Sequence, residues 1–197
     1  MNLDTPVPGS ASAIEPNVRA SSYIVLRTSH TCRHCQCATP VYALALAPGY
    51  ESTDADIELD DDGASTGLDP LAFRDWLFRP KAWQCIDGPA LLSQLGMLPA
   101  DVAQTLGDAA PALRPDPDAH GQWTNFCEHC ARAVWEGDLY PTAGQPFCPK
   151  DADAAAHIAV HTVHAPFAAY ASMIWSDGYR NKWPLFARLG IACSEAD

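Results

Sequence analysis

The chain has 197 residues and is 48% apolar, with six Trp, six Tyr and six Phe, enough for one domain with a substantial core. Its formal charge is −12 and its Lys and Arg are scattered, which weighs against phosphate-backbone binding, since that takes grouped cations. No stretch approaches the ~18 consecutive apolar residues of a membrane span. The N-terminus has Asp4, early prolines and no apolar segment, so no secretory signal is read and the expected compartment is the cytoplasm.

Residues 1–21 are rich in Pro, Ser and Ala and read as a disordered tail, leaving 22–197 as a single domain. "SYIVLRTS" (22–29) and "PVYALALAPGY" (40–50) are strand candidates, the second closed by a Pro-Gly turn. The pair Cys32 and Cys35 then falls at the tip of a β-hairpin. Seven of the twelve residues in "ESTDADIELDDD" (51–62) are acidic, and 51–67 reads as a solvated acidic loop.

Residues 69–85 begin with Asp-Pro, carry apolar Phe73, Trp76 and Leu77, and stop at Pro80. "GPALLSQLG" (88–96) and "PADVAQTLGDA" (99–109) have Pro near the start and Gly near the end, as short helices do. Together, 69–109 is expected to form a helical insertion. The turn-rich stretch 110–126 leads into a second pair, Cys127 and Cys130. Residues 132–147 read as strand, Glu-Gly-Asp turn and a second strand or loop, and 149–157 as a turn or two of helix. In 157–175, Pro166 and the β-branched content favour strand. His157, His161 and His164 would share a helix face, whereas a strand splits them. They are candidates for metal or acid–base work, but sheet residues of no special chemistry are the plainer reading. "WSDGYRNKWP" (175–184) is aromatic and polar, a possible contact surface.

Eight cysteines in a reducing compartment point to metal or redox chemistry rather than disulfide staples. Structural zinc takes four tetrahedral ligands, and two C-x2-C turns supply four thiolates. Cys32, Cys35, Cys127 and Cys130 would thus hold one structural Zn2+ per chain, and its removal is expected to unfold the core. Two departures stand out. The pairs are separated by residues 36–126, where ribbon-type sites have ~15–20. The glycine common after the second cysteine is also missing, replaced by Gln36 and Ala131. A rival set is Cys127, Cys130, Cys148 and Asp151, which leaves the first pair with Cys37 and His30. Both pairs are also C-x-H-C dithiols, but neither is followed by a good helix start, which would lower a thiol pKa. Cys85 and Cys193 read as buried or unreactive thiols. Asp138 reads as a turn residue. No H-E-x-x-H, deaminase, phosphate-loop, dinucleotide or nucleophile-elbow pattern occurs.

"WTNFCEHCARAVWEGDLYPTAGQPFCP" resembles the C-terminal knuckle of a group of uncharacterised bacterial zinc-ribbon-like proteins with two widely separated C-x2-C knuckles. The resemblance lies in Asn125, Cys127, Cys130, Gly137, Asp138, Pro146, Phe147 and Pro149. Their N-terminal knuckle is similar to "CRHCQCATPVYALAL", through Cys32, Cys35, Thr39, Pro40 and Val41. The resemblance implies a split zinc-ribbon-like module. It also favours the four paired cysteines over the set with Cys148, which falls where that group looks aromatic. It implies no activity.

The expectation is therefore an α+β fold: a small β-rich zinc-ribbon-like core with a helical insertion between the knuckles. The expected role is a scaffold or interaction module without catalysis, meeting a protein partner with a basic face. The alternatives are a thiol–disulfide oxidoreductase and a nucleic-acid-binding zinc ribbon. No oligomeric state follows from the sequence.

Overall fold

The computed structural model describes residues 15–53, 83–174 and 179–191. β1 (Val18–Ala20), β4 (Tyr50–Ser52), β5 (Gln84–Ile86) and β10 (Phe167–Ala169) form one antiparallel sheet in the order β10-β1-β4-β5. β2 (Tyr23–Thr31), β3 (Ala38–Leu46), β6 (Ala90–Ser93), β9 (Ala159–Val163) and β11 (Ser172–Ile174) form a second, in the order β11-β6-β3-β2-β9. β7 (Leu113–Asp116) and β8 (Gln122–Asn125) make a separate hairpin.

The two large sheets share their chain segments. β1 runs into β2, β3 into β4, β5 into β6 and β10 into β11, each after a short bend. The bend after β3 uses Gly49, at φ +93, a conformation open to residues without a Cβ. β10 pairs with β1 in one sheet, and its continuation β11 pairs with β6 in the other. The four bent ribbons therefore close into a small barrel, as happens where strands switch sheets at corners.

Side-chain alternation then splits the apolar residues in two. Tyr23, Val25, Tyr42, Leu44 and Leu46 point into the barrel with Val18, Tyr50, Leu92 and Phe167. α1 (Ala100–Ala109) closes this core with Val102 and Leu106. Ile24, Leu26, Val41, Ala43 and Ala45 face the other way. They pack against Val134, Leu139, Tyr140, Phe147, Ile158 and Leu185. That outer layer includes α2 (Ala152–Ala156) and α3 (Tyr179–Arg188), in which Leu185 and Phe186 are buried. A strand buried on both faces reads as a continuous apolar run, which is why "VYALAL" does so.

Several expectations hold. The first cysteine pair sits between β2 and β3, the 99–109 helix is α1, and 157–175 is mostly strand. The fold class needs correction. The described chain is mostly β, with eleven strands in three sheets, not α+β. No helical insertion separates the knuckles: of the expected 69–109, residues 69–82 lie outside the described residues, 84–86 and 90–93 are strands, and only 100–109 is helix. The apolar run 90–93, expected to lie in a short helix over 88–96, is a strand. It becomes strand because Leu92 and Leu91 pair with Leu44 and Ala45 on one side and with Met173 and Ile174 on the other. The hairpin β2–β3 is likewise a wall of the barrel, not half of a small ribbon.

Residues 18–20, expected in the tail, form β1, while residues 1–14 lie outside the described residues. The acidic loop begins with β4, and 54–67 lies outside the described residues, as do 175–178 and Cys193. Among the described residues no helix is long and apolar enough to cross a membrane.

Candidate metal centre

Each cysteine pair lies in a tight turn closed in the same way. In the first, the Cys32 N–H donates to the Cys37 carbonyl (2.9 Å) and the Gln36 N–H to the Cys32 carbonyl (2.8 Å). In the second, the Cys127 N–H donates to the Arg132 carbonyl (2.9 Å) and the Ala131 N–H to the Cys127 carbonyl (2.9 Å). Both turns need a left-handed residue after the second cysteine. Gln36 (φ 60) and Ala131 (φ 55) adopt it without being glycine, at a cost of roughly 1–2 kcal/mol each. The knuckle shape is thus present although its usual glycine is not.

The turns aim backbone N–H groups at the sulfurs. Those of Cys35 and His34 face Cys32 and lower its pKa. Burial opposes ionisation of Cys127, but the N–H groups of Cys130 and His129, with the Cys35 and Cys130 thiols, bring it down to about 6. The N–H of Cys37 favours the Cys35 thiolate, yet burial and the three neighbouring sulfurs push that thiol up to about 12. Cys130 is raised too, the N–H of Arg132 being outweighed by burial and by Cys127 and Cys32. The first cysteine of each turn is therefore shifted down and the second up.

The turns meet face to face. Cys32 Sγ lies 3.8 Å from Cys130 Sγ, and Cys35 Sγ lies 3.6 Å from Cys127 Sγ. All four sulfurs fall within 4.8 Å of one another. A tetrahedron of ~2.3 Å metal–sulfur bonds has edges of ~3.8 Å, so the donor set fits a zinc-sized ion. Four adjacent thiolates repel, and a dication relieves that repulsion, which lets the two reluctant thiols ionise. Cys32 and Cys127 are buried, while Cys35 and Cys130 are partly exposed.

Neighbouring contacts lock the second turn onto β3. The Glu128 N–H donates to Thr39 Oγ1 (3.1 Å), and the His129 ring Nε2 lies 2.9 Å from the Ala38 carbonyl. Asn125, 3% exposed, accepts from the Tyr42 N–H (2.7 Å) and donates to the Tyr42 carbonyl (2.9 Å). The side-chain amide serves there as a short piece of strand. Arg33, at the first tip, reaches Asp138 (3.7 Å) and stands 5.7 Å from the Trp135 ring centroid.

The rival set does not assemble. Among the described residues the four paired cysteines form the one group of three or more possible ligands. The Asp151 carboxylate instead caps α2 by accepting from the Ala154 N–H (2.8 Å), and Cys148 is buried elsewhere, within the 142–148 turn. His157, His161 and His164 are exposed and do not converge: His157 ends α2, His161 lies opposite Val25 in β9, and His164 follows that strand. Cys85, expected to be buried or unreactive, is exposed on β5, and Cys37 is exposed beside the first turn. Sequence reasoning missed Arg33, His129 and Trp135 as parts of the site, since their partners lie roughly a hundred residues away or out in solvent.

The fold and the site together define a class: a small β-barrel protein carrying a four-cysteine centre able to hold a metal ion. No protein-family model, curated protein or solved structure matches the chain.

Proposed function

We propose that Cys32, Cys35, Cys127 and Cys130 bind one structural Zn2+ per chain, and that the protein serves as a non-catalytic interaction module in the reducing cytoplasm. The observation that carries this reading is the convergence of four sulfurs within 4.8 Å from two turns roughly a hundred residues apart. Thiolate-only coordination favours zinc over the hard cations. With all four positions filled by protein sulfur, no site stays open for water, so the ion's work is to clamp rather than to activate. The dithiol alternative draws less support. Neither C-x2-C opens a helix, and the short sulfur contacts run between turns.

The test is elemental analysis of untagged protein purified under reducing conditions, beside Cys32→Ser and Cys127→Ser. The expected result is one zinc per chain, lost from both variants. Metal-free, folded protein with dithiol reductase activity that Cys32→Ser abolishes would overturn the reading.

A further inference from the structure

Beside the metal centre lies a cleft of about 410 Å3 lined by Arg33, Gln94, Asp116, Gln122, Trp135 and Glu136, among others. We propose that this cleft docks a basic segment of a partner protein, with a Lys or Arg side chain stacked on Trp135 and drawn by the carboxylates of Glu136 and Asp116. The proposal rests on the interaction-module reading and gives it a surface.

Three features carry it. Trp135 is 60% exposed, whereas among the described residues most large apolar side chains are buried. Its position is nonetheless set: the indole lies so close over Gly137 that an added Cβ would collide with the ring, and the Arg33 guanidinium flanks it. An aromatic already seated against its own turn loses less side-chain entropy on binding, and Trp is among the residues enriched at binding hot spots.

The second feature is Glu136. Both its carboxylate oxygens accept from the Gln94 N–H (3.0 and 3.3 Å). Gln94 aims that N–H from a left-handed conformation, φ 49, which strains a residue with a Cβ, and the Ser172 hydroxyl holds its side chain (3.0 Å). The left-handed Gln94 thus holds one carboxylate at the cleft wall, where partial burial raises its pKa.

The third feature is charge. Arg33, the cation of the cleft, already faces Asp138 at 3.7 Å, so Glu136 and Asp116 leave the cleft net negative. An aromatic face beside carboxylates is the chemistry that takes up an alkylammonium or guanidinium, and a chain of charge −12 steers cations toward it. Phosphate-bearing ligands meet the opposite field. Arg33 comes from the first knuckle and 133–136 from the second, so the closure that gathers the cysteines also builds the cleft.

The experiment is fluorescence anisotropy of a labelled (Gly-Arg)4 peptide amide titrated with the full chain at low salt, with (Gly-Gln)4 as the uncharged probe. Trp135→Ala is expected to weaken (Gly-Arg)4 binding about tenfold, and Glu136→Gln about threefold. Trp135→Phe should retain part of the affinity, and Glu51→Gln, on β4 and outside the cleft lining, should change nothing. Unchanged binding by Trp135→Ala, with native circular dichroism, overturns the proposal. So does tight binding of a single-stranded oligouridine that the same variant abolishes, because it would make the surface a nucleic-acid site. Zinc content measured on the same samples separates the two readings. Zinc-loaded protein without Trp135-dependent peptide binding sinks the docking site alone. Trp135-dependent binding by metal-free protein sinks the zinc reading alone.

Discussion

Asn125 shows how much one side chain can settle here. Beyond Leu44, β3 has lost β6 as a neighbour, and the Asn125 amide takes over by pairing with both backbone groups of Tyr42. Asn17 does the same for Ala171, accepting from its N–H (2.9 Å) and donating to its carbonyl (2.8 Å). Asn125→Ala would leave the Tyr42 N–H and C=O buried without partners, so a loss of about 2–4 kcal/mol is expected in urea unfolding. The left-handed residues that close the two cysteine turns predict the opposite sign. Ala131→Gly removes a steric penalty of roughly 1–2 kcal/mol and adds ~0.5–1 kcal/mol of backbone entropy, for a net gain of about 0.5–1 kcal/mol. Gln36→Gly gains less, because it also deletes the Gln36 Nε2 bond to the Arg33 carbonyl (3.0 Å). Thermal melts of the metal-loaded variants check this, and metal stoichiometry should not change.

At the scale of the turn, the lowered and raised thiols make metal uptake a proton-release event with a defined pH profile. In the metal-free fold at pH 7 Cys127, at about 6, is already a thiolate, whereas Cys35, at about 12, is a thiol. Zinc binding at pH 7 should therefore release fewer than the four protons that four ordinary thiols would shed. As pH falls below about 6, Cys127 protonates, the release per ion rises and affinity drops. Calorimetry in buffers of different ionisation enthalpy reads the count directly. The same shift sets the metal-free fold's own pH dependence. A thiol whose folded pKa is depressed stabilises fully above its ordinary value near 9, and that contribution fades as pH falls toward 6. Cys35 works oppositely: its raised pKa disfavours the fold as pH climbs from 9 toward 12.

Across the whole molecule, two apolar cores flank one sheet, and the cysteines sit at one end of it. This restricts what loss of the ion can do. The barrel interior, with Leu44, Leu92 and Leu106, holds no metal ligand, while the outer layer is threaded by the chain leaving the second knuckle, through Val134, Leu139 and Phe147. Chelation is therefore expected to open 32–37 and 126–147 first, with amides around Leu44 and Leu92 staying protected. Hydrogen exchange with and without chelator reads this region by region. Simultaneous loss of protection across both cores would show that the clamp supports the entire fold.

The sequence by itself determined the local pieces: two cysteine turns, the hairpin carrying the first, the 100–109 helix, and the strand character of 157–175. Each depends on residues a few positions apart, whose spacing and backbone preferences are visible in any short window. It also singled out the four cysteines that the fold gathers, although two usual signs, short spacing and glycine, were missing. Only the tertiary structure decided that 90–93 is strand, that the bent ribbons close into a barrel, and that Trp135 stands exposed over Gly137 next to Glu136. These features come from pairing between distant segments, such as Leu92 with Leu44 and Met173, or Cys35 with Cys127. Such partners are chosen by the burial of both faces of a sheet, a property of the assembled molecule that no single segment carries.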